Sequence, residues 1–183
     1  MTNTPSTIAL TPPDLIDLLV DRIREIVKDM RLEIPIDDGS GVRTVTPAVW
    51  PFDVPPISID GAETRVPFVV VRLGGTEDGK SNEGEDISVD IIAGIYADEY
   101  ETINEAKPLQ GWRFPMNIIW RIRLALIQDG ILGAFSMEEG SAKWTPQTTQ
   151  PDPFWLAALQ TVWKGPPVPQ TELGLSDRTQ FYS

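Results

Sequence analysis

From Leu15 onward the apolar positions recur at helical spacing. Leu15, Leu19, Ile23, Ile26 and Met30 form one line, which Ile16, Val20 and Val27 widen. Asp14, Asp17, Asp21, Arg24, Lys28 and Asp29 fall mostly on the other side. Thr11 suits the N-cap position, Pro12 has the backbone angle of a first helical residue, and Asp14 places negative charge in the first turn. The pattern predicts an amphipathic helix that starts after Thr11 and reaches Met30.

The period then changes. Val66 to Leu73 is a run of β-branched and aromatic residues that reads as a strand. Ile87 to Tyr96 reads as another. There Ile87, Val89, Ile91 and Ala93 alternate with Ser88, Asp90 and Ile92, so its first half has one polar-leaning face. Helical spacing returns with Ile118, Ile119, Ile122, Ala125 and Leu126 on one face, Pro115 near the start and Gly130 where a left-handed C-cap belongs. FSMEEGSAKW, 135–144, predicts a hairpin turning near Glu139 and Gly140. Residues 153–163 fit both periods, and their aromatics and bracketing prolines favour a strand.

The remaining segments are less regular. DDGSG, 37–41, reads as a turn, with VRTVTPAV as a strand beside it. WPFDVPP, 50–56, is too rich in proline for a central strand. It reads as an extended surface segment packed by Trp50 and Phe52. Residues 98–111 form an acidic connector, and residues from 165 onward read as irregular. The expected organisation is a flexible arm over 1–10, one α+β domain over 11–169 and an irregular tail over 170–183. The expected fold is a mixed or antiparallel sheet with two main helices on one face and a long acidic hairpin.

Composition narrows the chemistry. The chain has 183 residues, enough for one domain with a sizeable core. It contains no cysteine and no histidine, which removes disulfides, thiolates, the commonest general base and the commonest metal ligand. Catalysis would have to use carboxylates, Lys, Tyr or a bound ion. The net charge is −12, and the 15 Lys and Arg residues are scattered. A groove for nucleic-acid phosphates needs a basic face, so DNA binding is not expected. No apolar run approaches the ~18 residues of a membrane span. The first ten residues lack a basic stretch ahead of an apolar one, so no signal peptide is expected.

One motif tests this picture. GGTEDGKS, 74–81, matches the phosphate-binding pattern G-x-x-x-x-G-K-[ST] at Gly74, Gly79, Lys80 and Ser81. Such a loop works because a helix starts at the Lys-Ser and offers its free N–H groups to phosphate. Here NEGEDISVDIIAGIY follows, with poor helix formers leading into a strand. The gap also lacks the helical composition of a parallel crossover, so the flanking strands should pair antiparallel. Five carboxylates, Glu77, Asp78, Glu83, Glu85 and Asp86, surround the single Lys80 and would repel polyphosphate. We therefore expect a fortuitous match, with no nucleotide and no other cofactor.

The same stretch fails as a calcium loop. Counted from Asp78, the invariant-glycine position holds Glu83 and position twelve holds Val89. Asp98, Glu99 and Glu101 read as a solvated acidic turn rather than a metal site. Four glycines and five carboxylates over 74–86 cannot build a core of their own. That stretch is thus expected to be a hairpin tip that orders against a neighbour, through Glu77, Asp78, Lys80, Glu83, Glu85 and Asp86. Without a basic setting, the six tryptophans point to core and interface packing rather than base stacking.

The order of these elements, and four phrases within them, carry a resemblance. They are PFVVVRLGGTEDG, ISVDIIAGIYAD, NIIWRIRLALIQDGILG and KWTPQ…PDPFWLAALQTVWKGPPVP. They resemble the tail-terminator, or tail-completion, proteins of long-tailed bacteriophages over about residues 66–169. The residues before this stretch match only through the first helix. The resemblance implies an α+β fold with helices on one side of a sheet, and a strand at 153–163. It implies a non-enzymatic virion protein of the tail or neck, assembled in the host cytoplasm. It further implies a homo-oligomeric, hexameric ring that caps the tail-tube protein, stops tube growth and receives the head-side connector. DNA would pass through the lumen without being held, as an acidic wall permits. Two other classes fit the same residues: a head-completion, neck or baseplate protein of such a particle, and a small carboxylate-based metal-dependent hydrolase.

Overall fold

The computed structural model describes residues 11–35, 42–53, 67–77, 85–96, 112–146 and 154–166. Helix α1 covers Pro12–Val27 and α2 covers Arg113–Asp129. The strands in chain order are β1 (Leu32–Pro35), β2 (Val42–Val45), β3 (Ala48–Pro51), β4 (Phe68–Glu77) and β5 (Asp86–Tyr96), then β6 (Ile131–Leu132), β7 (Phe135–Met137), β8 (Lys143–Pro146) and β9 (Phe154–Lys164). β1 and β2 form a separate antiparallel pair. The other strands make one mixed sheet in the order β3-β4-β5-β9-β7-β6, with β8 also on β9. The fold class is α+β.

Strand alternation decides which face the helices cover. In the β4–β5–β9 ladder Val71, Ile91 and Leu159 stand in register, as do Val69, Ala93 and Ala157. All six are fully buried. They meet Leu15, Leu19 and Ile23 of α1 and Ile118, Ile119, Ile122 and Leu126 of α2 in one core. α1 lies over β3 and β4, and α2 lies over β5 and β9. The two helices are tied by a bidentate pair, Arg22 Nε to Asp129 Oδ2 at 2.7 Å and Nη2 to Oδ1 at 3.1 Å. On the opposite sheet face, Gly94 lies beneath Phe68 and Leu156, whose side chains a Cβ would meet at 2.3 and 2.6 Å. Glycine is what lets these two side chains close over the sheet there.

The helix ends follow the local chemistry. The Thr11 backbone N–H and hydroxyl both donate to Asp14 Oδ2, at 2.6 and 2.7 Å. Those bonds, the backbone one first, hold the Asp14 carboxyl below its ordinary pKa. α1 ends at Val27 rather than reaching Met30. The Arg31 guanidinium donates to the Lys28 and Met30 carbonyls, and the chain turns there into β1. Met30 still packs against the core from outside the helix. α2 ends at Gly130, with φ 63° and its N–H on the Leu126 carbonyl at 2.9 Å. No atom lies within 4 Å of a Cβ built at Gly130, so Gly130→Ala meets only the backbone cost. We expect a loss of about 1–2 kcal/mol, read from the denaturation midpoint, with Gly130→Asn losing less.

Two stretches depart from the sequence expectation. WPFDVPP contains part of a true strand. β3 pairs parallel with β4, from Ala48↔Phe68 to Pro51↔Val71. It lies at the sheet edge, where a proline costs no ladder bond. Its packing residue is Val49, while Trp50 and Phe52 are exposed. The 135–144 stretch is not a hairpin. β7 and β8 both pair with β9, at Met137↔Trp163 and Lys143↔Gln160, and so run in line along one edge of it. The turn at Glu139–Gly140 is an excursion from that line. Ser141 bridges the gap: its Oγ accepts from the Val162 N–H at 3.1 Å and donates to the Val162 carbonyl at 3.3 Å. The hairpin is instead β6–β7, closed at Gly133. The reading of 153–163 as a strand agrees with β9, which is central in the sheet.

Residues 1–10, the DDGSG turn, the acidic connector 98–111 and the tail 170–183 lie outside the described residues.

Candidate interaction surface

The P-loop-like residues divide between strand and undescribed loop. Gly74 lies inside β4, at a bulge between Leu73 and Gly75. β4 continues to Glu77, which stands in register with Asp86 of the antiparallel β5. A Cβ on Gly74 would meet Ser88 Oγ at 3.0 Å and Asp90 Oδ2 at 3.4 Å. Arg72 lies 3.8 Å from that same carboxylate. Asp78, Gly79, Lys80, Ser81 and Glu83 lie outside the described residues. Glu85 and Asp86 are half-buried at the base of β5, and the Glu85 carbonyl accepts from the Gly165 N–H at 2.9 Å. The antiparallel pairing matches the expectation for these two strands, while the acidic tip falls in the undescribed part.

A different surface is more developed. α2 is apolar on two sides. One row, Ile118, Ile119, Ile122 and Leu126, is buried in the core. A second row faces solvent: Trp120, Leu124 and Ile127, each between 43% and 48% exposed, followed by Ile131. The spacing of 120, 124 and 127 is that of one helical stripe, and Ile131 lies just past the Gly130 cap. β8 extends the patch. Trp144 packs edge-to-face on Trp120, with ring centroids 6.5 Å apart. Arg123 stacks over the Trp120 ring at 5.3 Å, and its Nε donates to the Ala142 carbonyl at 3.1 Å. The guanidinium thereby holds the indole in place while leaving its outer side open to solvent.

The charge on α2 itself is one-sided. α2 carries Arg113, Arg121 and Arg123, and its one carboxylate, Asp129, is engaged with Arg22. Lys143 is exposed on β8 beside Trp144. α1 has the opposite balance, with Asp14, Asp17, Asp21 and Glu25 against Arg22 and Arg24. In a chain of net charge −12, the α2 flank is thus a local cationic and aromatic zone.

The other end of the sheet has its own exposed aromatics. Trp50 lies on β3, and Phe52, 53% exposed, follows it directly. Phe52 has φ 65°, is the one non-glycine with positive φ among the described residues, and donates its N–H to the Val71 carbonyl at 2.8 Å. The Asp53 N–H closes a three-residue turn onto the Pro51 carbonyl at 2.8 Å. A bulky residue in this region of backbone space is strained, and a phenyl ring in water gains nothing from burial.

Among the described residues no three Asp or Glu side chains gather as a metal would require, and no helix is long and apolar enough to cross a membrane. The α2 stripe offers an exposed apolar and aromatic surface with arginine and lysine beside it. Its signal was present in the sequence as the 120, 124, 127 spacing, in parallel with the core row. No protein-family model matches the chain, and no curated protein matches it.

Proposed function

We propose that this protein is a tail terminator of a long-tailed bacteriophage, a non-enzymatic ring that caps the tail tube and receives the head-side connector. The observation that carries the proposal is the order of elements around the exposed α2 stripe. An antiparallel β4–β5 pair leads to a helix closed by Gly130, then to the short strands β7 and β8, and then to an aromatic strand in the centre of the sheet. That order supports the resemblance over about residues 66–169. The stripe supplies contact surface of the kind subunits use on one another, apolar and aromatic with arginine at its border.

A ring through which DNA moves must let phosphate slide, which the surplus of carboxylates over basic residues favours. Free subunits are expected to remain largely monomeric, because a ring closed in advance would leave tube length uncontrolled. The tube end then acts as a template that offsets the entropy of association. Mass measurement of the purified protein with and without tail tubes, followed by imaging of the tube ends, tests this. Six subunits at one end only is the expected result. Binding along the whole tube, or none, would remove the proposal and leave the head-side adaptor as the better choice.

A further inference from the structure

We propose that the α2 flank of one copy docks onto the β3 end of a second copy, head to tail, with Leu124 and Ile127 of the first against Trp50 and Phe52 of the second. The proposal deepens the ring reading and rests on it for the number of subunits, but not for the contact itself.

Geometry separates the two surfaces. From β3 the sheet passes through β4, β5 and β9 to β8. Four inter-strand steps make about 19 Å, so the two surfaces lie on opposite flanks. A contact between unlike flanks is heterologous, and repeating it gives a ring when the rotation closes.

Charge selects the pairing. The α2 flank carries Arg113, Arg121 and Lys143 on exposed positions. At the β3 end, the Arg24 guanidinium donates to the Val49 carbonyl and pairs with Asp21, while Asp17, one turn earlier on α1, is exposed. Joining α2 to α2 across a two-fold axis would set arginine against arginine. Joining α2 to the β3 end sets arginine against carboxylate, and the attraction also orients the approach.

The edges exclude the commonest alternative. The two strands that border these surfaces, β3 and β8, are each four residues long and end in proline, AVWP and KWTP. Short, proline-closed edges resist extension of the sheet by another strand. Contact at these flanks must therefore run through side chains. Phe52 fits that use: its backbone conformation is unfavourable and its ring is exposed, so the position makes sense where a partner covers the ring.

The chain contains no cysteine, so single cysteines report contacts cleanly. Phe52→Cys and Leu124→Cys proteins are mixed at high concentration with a short bis-maleimide, and the products are resolved by mass. The mixed 52–124 product should exceed both homodimeric products several-fold and should fall as salt is added. Trp50→Cys replaces Phe52→Cys if the latter fails to fold, with the same expectation. A statistical mixture, or a dominant 124–124 product, overturns the proposal. The same reaction on tube-bound protein separates the two readings. Tube-end rings without 52–124 cross-links sink the docking and keep the terminator. Strong 52–124 cross-links in a protein that ignores tubes do the reverse.

Discussion

Trp163→Ala should cost about 3–5 kcal/mol, a large part of the ~5–15 kcal/mol that holds a domain of this size together. Trp163 is fully buried near the end of β9, in register with Ile87 on β5 and Met137 on β7. It therefore fills the junction where the long ladder meets the short strand β7. Its indole N–H is also satisfied internally, by Thr161 Oγ1 at 2.9 Å, and that hydroxyl lies 3.5 Å from the Val89 carbonyl. Removing the acceptor alone leaves a buried donor unpaired, so Thr161→Val should cost about 1–3 kcal/mol. Removing the donor alone, with Trp163→Phe, leaves a hydroxyl that can still turn to Val89. If the pair acts as a unit, the double variant should cost clearly less than the two single losses added. Urea denaturation of the four proteins, at unchanged slope, measures this. Additive losses would show that the indole is held by packing alone.

The parts of the fold that could be read from sequence share one property: a local period carries them. The row Leu15, Leu19, Ile23 and Ile26 needs only its own spacing to be recognised as a buried helix face. Alternation in β5 and the C-cap at Gly130 are equally local. The parts that could not be read depend on a partner far along the chain. Nothing within Ala48–Pro51 says that it pairs parallel with β4. Glu139, Gly140 and Ser141 do form a turn, as their residue types predict. Whether the strands on either side fold back on each other or continue along a third strand is decided by β9, and by Ser141 replacing the ladder bonds to Val162. The candidate surface was hidden by the same kind of ambiguity. α2 has two apolar rows, and spacing alone does not say which one the sheet covers. Once Ile118 and Ile122 are placed over β5 and β9, Trp120, Leu124 and Ile127 are left outside.

That separation of rows sets up the second large effect, which falls on assembly and leaves the fold intact. Leu124→Asp should keep stability within about 1 kcal/mol of the parent, since Leu124 is 43% exposed and lies outside the core cluster. Ile122→Asp, one half-turn away and fully buried, should prevent folding, because it places a carboxylate in the apolar core between α2 and the sheet. The contrast matters more than either result alone. If the α2 stripe is a subunit contact, an aspartate at its centre forfeits apolar burial, must be desolvated, and weakens the local cationic field that attracts the neighbouring copy. A loss of about 2–3 kcal/mol at one contact lowers its association constant about 30- to 150-fold. Every subunit of a ring makes that contact on both flanks, so the losses multiply around the circle. A folded Leu124→Asp protein that no longer caps tubes, with abnormally long tails in the particle, is the expected outcome. Normal capping by a correctly folded Leu124→Asp would remove α2 from the assembly contact and return attention to the acidic residues at the tip of β4 and β5.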